Sequence, residues 1–186
     1  MGLLDSFLEW LGFGRRQVSV LIVGLDNTGK TSILNYLRPE EARTQTTIPT
    51  VGFNVENFSC RGLSFTAFDM SGQNRYRHLW SNYYRSTNAI IFVVDSSDLT
   101  RIVVAHEELQ QLLSHVEIRS RSIPILFFAN KMDLRDSLSC TGVSTELRLN
   151  EINNKSWHIC STNALSGEGI AEGIEWLSNE IKQSID

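Results

Sequence analysis

The first residues with recognisable chemistry are Gly24-Leu25-Asp26-Asn27-Thr28-Gly29-Lys30-Thr31. They follow the apolar run VSVLIVG (18–24) and lead into TSILNYL, which reads as a helix stopped at Pro39. This is the G-x-x-x-x-G-K-[ST] spacing in its strand–loop–helix context. The glycines allow backbone N–H groups to curl into an anion nest at a helix N-terminus, where the dipole favours phosphate. Lys30 supplies a point charge for the β- and γ-phosphates, and the Thr31 hydroxyl is a hard oxygen ligand for Mg²⁺. Asp26, Asn27, Thr28, Gly29, Lys30, Thr31 and Ser32 are thus candidate nucleotide-binding residues. Taken alone, the loop leaves kinases and ATPases open.

Asn130-Lys131-Met132-Asp133 narrows the base. It ends the run IPILFFAN, at the carboxyl end of a predicted strand, where open α/β sheets bind ligands. A carboxylate at Asp133 accepts from guanine N1–H and its exocyclic amine together, a donor pair that adenine lacks. Asn130 would hold the loop and the Lys131 stem would lie over the ring. Cys160-Ser161-Thr162, placed after the last strand, would offer backbone amides to the guanine oxygen, which makes Ser161 and Thr162 site candidates. Asp69-Met70-Ser71-Gly72-Gln73 adds three groups: an Asp for a Mg²⁺-bound water, a glycine amide for the γ-phosphate, and a Gln to orient an attacking water. Thr50 is the candidate that closes over Mg²⁺ and the γ-phosphate. Singly these would pass for turn residues; their weight comes from the set.

The rest of the chain must hold these groups together. AIIFVVD (89–95) and IPILFFAN (123–130) are buried-strand runs, and WHIC (157–160) is a shorter one. VGFNVENFS (51–59) and LSFTAFD (63–69), joined by CRG, read as a hairpin. Ala105, Leu109, Leu112 and Leu113 recur at helical spacing, as do Ile170, Ile174, Leu177 and Ile181. The alternation predicts an α/β fold: a six-stranded, mostly parallel sheet flanked by helices, with the 51–59 strand antiparallel at the edge. At 186 residues, 41% hydrophobic and 20% charged, the chain makes one domain and is not disordered. Its net charge of -4 leaves no broad footprint for nucleic acid. Cys60, Cys140 and Cys160 are too scattered for a zinc motif or disulfide framework, which points to reduced thiols in the cytoplasm.

The set resembles the small GTPases of the Arf and Arf-like family, over essentially the whole chain. GLDNTGKTS, IPTVGF, the DMSGQ-to-HLW stretch, NKMD and the MG-headed start carry the resemblance. Asp26 and the aromatics Phe53, Trp80 and Tyr83 are similar to the Arf-like pattern rather than the Ras-like one. The resemblance implies a Ras-like P-loop GTPase fold binding GTP or GDP with Mg²⁺. Thr31 and Thr50 would be direct ligands, Asp69 would act through water, and Gln73 would be catalytic. It also implies an exchange factor, a GAP, and effectors that read Phe53, Trp80 and Tyr83. FDMSGQNRYRHLW, VVAHEELQQLLSH and IPILFFANKMDLRDSL are similar to the ciliary branch that recruits the BBSome coat, which implies a cilium or basal-body location. The family pattern has Gly where this chain has Ser71, and Gly72 is kept.

Leu3, Leu4, Phe7, Leu8 and Leu11 recur at helical spacing and predict an N-terminal amphipathic helix and linker (1–16) ahead of a G domain (17–186). A helix docked permanently on the core is the plainer reading; a helix released to a membrane surface is the functional one. Gly2 through Ser6 also satisfy the N-myristoylation pattern. With Asp26 in the phosphate loop and Arg43 too far from Thr50, no arginine is aligned as a finger in cis, so slow turnover in a monomer is expected. Two other readings stay open here. A P-loop kinase would need an acceptor site and lid, and would leave NKMD without a role. A non-hydrolysing GTP-binding scaffold would leave Gln73 and Thr50 without one.

Overall fold

The computed structural model describes residues 16–185. The expected N-terminal helix, with Gly2, lies outside the described residues, and β1 already begins at Arg16.

Among the described residues, six strands form one sheet: β1 (Arg16–Val23), β2 (Phe53–Cys60), β3 (Leu63–Met70), β4 (Ala89–Asp95), β5 (Ile125–Asn130) and β6 (Trp157–Thr162). Their order is β2-β3-β1-β4-β5-β6, with only β2–β3 antiparallel. The helices are α1 (Lys30–Leu37), α2 (Asn74–Arg77), α3 (Ile102–Ser114), α4 (Val116–Arg119), α5 (Cys140–Glu146) and α6 (Ile170–Ile185). A run of 3₁₀ turns covers His78–Ser86. The central strands β4 and β5 are buried along their whole length, as their unbroken apolar runs require.

Period-two alternation divides the core. Val20 and Ile22 of β1 pack with Ile33 and Leu34 of α1 and with Ile170, Ile174, Leu177 and Ile181 of α6. Leu21 and Val23 face the other way, into Ala105, Leu109 and Leu112 of α3, Val143 of α5, and Trp80. After β1 the chain goes to β3 on one side and later lays β4 on the other. The loops leaving these parallel strands diverge and open a crevice at their carboxyl ends.

Three details differ from the sequence expectation. Cys60 pairs with Leu63, so the hairpin link is Arg61-Gly62 alone, with φ of 49° and 79°. Positive φ at both positions is what a two-residue turn between right-twisted strands needs. β2 starts at Phe53, after a bend at Val51-Gly52. β6 runs on through Ser161 and Thr162, so these residues lie in the strand and not after it.

Candidate nucleotide-binding site

Between β1 and α1, Gly29 adopts φ 93°, and an added Cβ would meet Asn130 Nδ2 at 2.2 Å. Only glycine brings the phosphate loop this close to the end of β5. The first turn of α1 holds no acidic residue and no side-chain cap, so its amides face the crevice uncompeted. Lys30 is 6% exposed, and its Nζ donates to the carbonyls of Gly24 (3.0 Å) and Leu25 (2.6 Å). Burial pulls its ammonium down to about 8, against the opposing pull of Asp69 and Asp26. A group held charged in a dry loop, with only carbonyl partners, is suited to a polyphosphate.

The three residues expected at the metal converge although they come from three segments. Thr31 Oγ1 donates to Asp69 Oδ2 at 2.7 Å and stands 3.0 Å from Thr50 Oγ1, which donates to the same Oδ2 at 3.3 Å. Asp69 is 1% exposed, its other oxygen, Oδ1, is buried without a partner, and burial raises its carboxyl above the usual range. Two hydroxyls and a carboxylate with one orphaned buried oxygen are a hard donor set of the kind Mg²⁺ takes. Asp26, Asn27, Gly29, Lys30, Thr31, Ser32, Thr50, Gly72 and Gln73 line one cleft of about 230 Å³. The loop segment Thr47-Ile48-Pro49 lines it as well.

Gly72 is pressed onto the phosphate loop: a Cβ there would meet Asp26 N and Leu25 C at 2.2 Å. Ser71, where the family pattern has glycine, keeps an ordinary φ. Its amide donates to Gly52 O at 3.0 Å, its carbonyl accepts from Trp80 Nε1 at 3.0 Å, and its hydroxyl accepts from the Gln73 amide at 3.4 Å. The serine is thereby tied to Gly52, Trp80 and Gln73 at once. Gln73 lines the cleft, and its Oε1 accepts from Arg75 Nε at 3.2 Å.

A second cavity, of about 250 Å³, shares Asn27, Gly29 and Ser32 with the first and adds Asn130, Lys131, Asp133, Leu134, Asn163, Ala164 and Leu165. Asn130 is its keystone. Nδ2 donates to Thr28 O at 2.8 Å, while Oδ1 accepts from Thr162 Oγ1 (3.2 Å) and Ala164 N (3.0 Å). Thr28 is buried and donates to Leu25 O. Asp133 is exposed at the rim and has no hydrogen bond to another described residue, so its carboxylate is available to a base edge. Lys131, at φ 65°, pairs with Asp95 at 2.6 Å, which fixes its stem beside the cavity.

Ser161, Thr162 and Trp80 are placed otherwise than the sequence suggests. Ser161 faces Cys140 (Oγ to Sγ 3.0 Å) and Thr162 supports Asn130 from inside the strand; neither lines the cavity. The amide-bearing loop there is Asn163-Ala164-Leu165, because β6 extends two residues further than its apolar run. Trp80 is 2% exposed, locked by its bond to Ser71, so the aromatic surface is Phe53 and Tyr83, with ring centroids 5.2 Å apart. Arg43 lies over Tyr36 and outside the cleft, as its distance from Thr50 suggested.

Other contributors were not picked out in the sequence. Arg77 donates to Gly72 O (2.8 Å) and Glu108 (2.9 Å) and stands 3.7 Å from Asp26. Arg101 pairs with Asp26 at 3.3 Å and Asp98 at 2.6 Å. Asp26 is therefore neutralised from two sides. Asp95, at the carboxyl end of a central strand, carried a positional signal; the two arginines carried none.

A phosphate loop on β1, a hard-oxygen triad and a base cavity keyed by Asn130 and Asp133 define a guanine-nucleotide-binding P-loop protein. Residues 4–181 match the ADP-ribosylation factor (Arf) family, and the chain belongs to it as a small GTPase. It is 55% identical to zebrafish (Danio rerio) ADP-ribosylation factor-like protein 6 over 182 residues, 98% of each chain. It is 42% identical to the Caenorhabditis elegans protein of that name, over 100% of this chain and 98% of that one. Its fold is similar to that of the Arl6 BBS3 small GTPase from Trypanosoma brucei, solved with the nucleotide analogue GppNp. The TM-score is 0.83 at 39% identity, covering 90% of this chain and 98% of that chain. Among the described residues no helix is long and apolar enough to cross a membrane.

Proposed function

We propose that the chain is a GTP-dependent switch that recruits the BBSome coat to ciliary membranes. Support comes from its 55% sequence identity to the Danio rerio ADP-ribosylation factor-like protein 6 and from the sequence resemblance to that ciliary branch. The observation that carries the switch is the convergence of Thr31 and Thr50 on Asp69 beside Gly72 and Gln73. Thr50 and Gly72 stand at the two ends of the β2–β3 hairpin, so groups that distinguish a γ-phosphate report directly to an effector strand.

In this reading Asp26–Ser32 wrap the phosphates, and Lys30 moves from its carbonyl partners to phosphate oxygens. Asn130, Lys131 and Asp133 select guanine. Thr31 and Thr50 would hold Mg²⁺ directly and Asp69 through water; when bound, the ion would offset the negative charge of the phosphates. Gln73 leaves Arg75 and orients the attacking water. Asp26, paired with Arg77 and Arg101, leaves neither arginine aimed into the cleft, so turnover is slow until a GAP contributes a cation. An exchange factor reverses the cycle. The N-terminal helix, with a myristoyl group on Gly2, holds the GTP form at the membrane, and Phe53 and Tyr83 offer the effector surface.

The test is a pull-down from ciliated-cell extract on Gln73→Leu and Thr31→Arg proteins. BBSome subunits retained on the first and absent from the second are expected. Equal retention on both, or absence from both, refutes the proposal. Single-turnover hydrolysis of GTP with a GAP-containing lysate checks the enzyme: stimulated turnover is expected, and none would favour a scaffold.

A further inference from the structure

By spacing, the cysteines make no metal motif, but the fold brings one of them to a histidine and a carboxylate. His158 and Cys160 are two apart in β6 and so share a face, the one that α6 covers. Glu172 and Trp176 are four apart on α6 and share a side of that helix. The His158 ring lies 5.3 Å from that of Trp176. One ligand atom each of His158, Cys160 and Glu172 lies within 4.8 Å of the others.

Cys160 is buried, His158 half-buried and Glu172 exposed, so the cluster is closed towards the core and open towards solvent. None of the three side chains makes a hydrogen bond or ion pair with another described residue. Cys140 is occupied on a neighbouring strand residue, Ser161, which points to the opposite face. None of the three lines the phosphate cleft or the base cavity.

We propose that His158, Cys160 and Glu172 bind a Zn²⁺ ion, with water as the fourth ligand. Imidazole nitrogen, thiolate sulfur and carboxylate oxygen form the mixed, borderline-soft set that favours zinc over Mg²⁺ or Ca²⁺. With bonds of about 2.0–2.3 Å, tetrahedral ligand atoms stand roughly 3.3–3.8 Å apart. The ligand atoms, within 4.8 Å of one another, would have to draw together by about 1 Å, a movement within reach of the exposed Glu172 side chain. The ion displaces the Cys160 thiol proton to solvent as the Zn–S bond forms. The site would tie β6 to the start of α6, on either side of the loop whose Ala164 amide holds Asn130.

Co²⁺ titration of the full chain, already loaded with GDP and Mg²⁺, tests this. A thiolate-to-cobalt absorption in the near ultraviolet and tetrahedral bands in the visible are expected, both removed by one equivalent of Zn²⁺. Cys160→Ser should abolish the near-ultraviolet band. His158→Ala and Glu172→Gln, at the less buried positions, should weaken Co²⁺ binding at least tenfold with GDP binding unchanged. A wild-type protein without the near-ultraviolet band overturns the proposal. So does an undiminished band in Cys160→Ser, which would place the metal on Cys60 or Cys140. Should Cys160→Ser not fold, unchanged Co²⁺ affinity in the other two variants overturns it equally. None of these outcomes depends on BBSome recruitment or GTP turnover.

Discussion

Arg77→Ala is the most informative perturbation of the switch. The Arg77 side chain is 11% exposed and Glu108 is 15% exposed, so their 2.9 Å pair is largely out of water. The same guanidinium holds Gly72 O at 2.8 Å and faces Asp26 at 3.7 Å. Truncation leaves the Glu108 carboxylate and the Gly72 carbonyl unpaired together. Orphaning one partner of a fully buried pair costs about 3–5 kcal/mol, and this pair keeps some solvent, so a loss of about 2–4 kcal/mol is expected. For a domain of this size that lowers the Tm by roughly 4–16 °C.

The functional effect has a different signature. With its carbonyl released, Gly72 no longer presents its amide steadily to the γ-phosphate position. One hydrogen bond to a charged oxygen contributes roughly 1.5 kcal/mol, so GTP affinity should fall about tenfold relative to GDP. Competition between fluorescent GTP and GDP analogues measures that ratio directly. Glu108→Gln keeps an acceptor for Arg77 and should move both quantities less. A lowered Tm with an unchanged GTP-to-GDP ratio would refute the reasoning and leave Arg77 a purely structural cation.

Asp133→Asn replaces an acceptor with a donor facing the base and should shift preference from guanosine towards xanthosine nucleotides. Wild-type selectivity for GTP over ATP should reach at least ~10⁴; competition binding reads both. Gln73→Leu should keep GTP binding and suppress GAP-stimulated hydrolysis, so retention of the wild-type stimulated rate would assign water positioning to another group. Lys30 gives a pH signature: bound polyphosphate raises its pKa above the value of about 8 in the free protein, so binding takes up a proton above that pH. Affinity should then fall as pH rises through about 8, by up to tenfold per unit. Calorimetry at pH 9 in buffers of contrasting ionisation heat should detect the uptake. For folding the sign is opposite: between about 8 and the ordinary 10.5 the unfolded chain holds more protons at this lysine, and its contribution to stability rises with pH.

The parts of the site legible in the sequence are those written locally. The phosphate loop is legible because a glycine-bearing turn, a lysine and a hydroxyl must follow one another to make an anion nest. β4 and β5 are legible because full burial demands unbroken apolar runs. Ser161 and Thr162 were misplaced because polar residues do not mark a strand, although Thr162 is buried against Asn130. The burial of Trp80 depends on a carbonyl nine residues earlier, and no period shows it. Arg77 and Arg101 meet Asp26 from 51 and 75 positions away (77 − 26 and 101 − 26), a contact that exists only once α3 packs on β1 and β4.

Those long-range pairs bear on how a nucleotide could move the protein. The β2–β3 hairpin leaves and re-enters the cleft at Thr50 and Gly72, and the Ser71 amide to Gly52 carbonyl bond fastens its two ends together. At its tip Arg61 pairs with Glu175 of α6. Along β3, Leu63, Phe65 and Ala67 face one core, while Met70 faces the other. A two-residue slip of β3 along β1 would return each side chain to its own face, whereas a one-residue slip would exchange the faces. The pairing therefore permits a discrete step and forbids a smaller one. Such a step would break the exposed Arg61–Glu175 pair, which is worth little. It would also draw Thr50 away from Thr31 and Asp69. A γ-phosphate that holds Thr50 and Gly72 in place would thus fix the register of the whole hairpin from one end, and with it the position of the exposed Phe53.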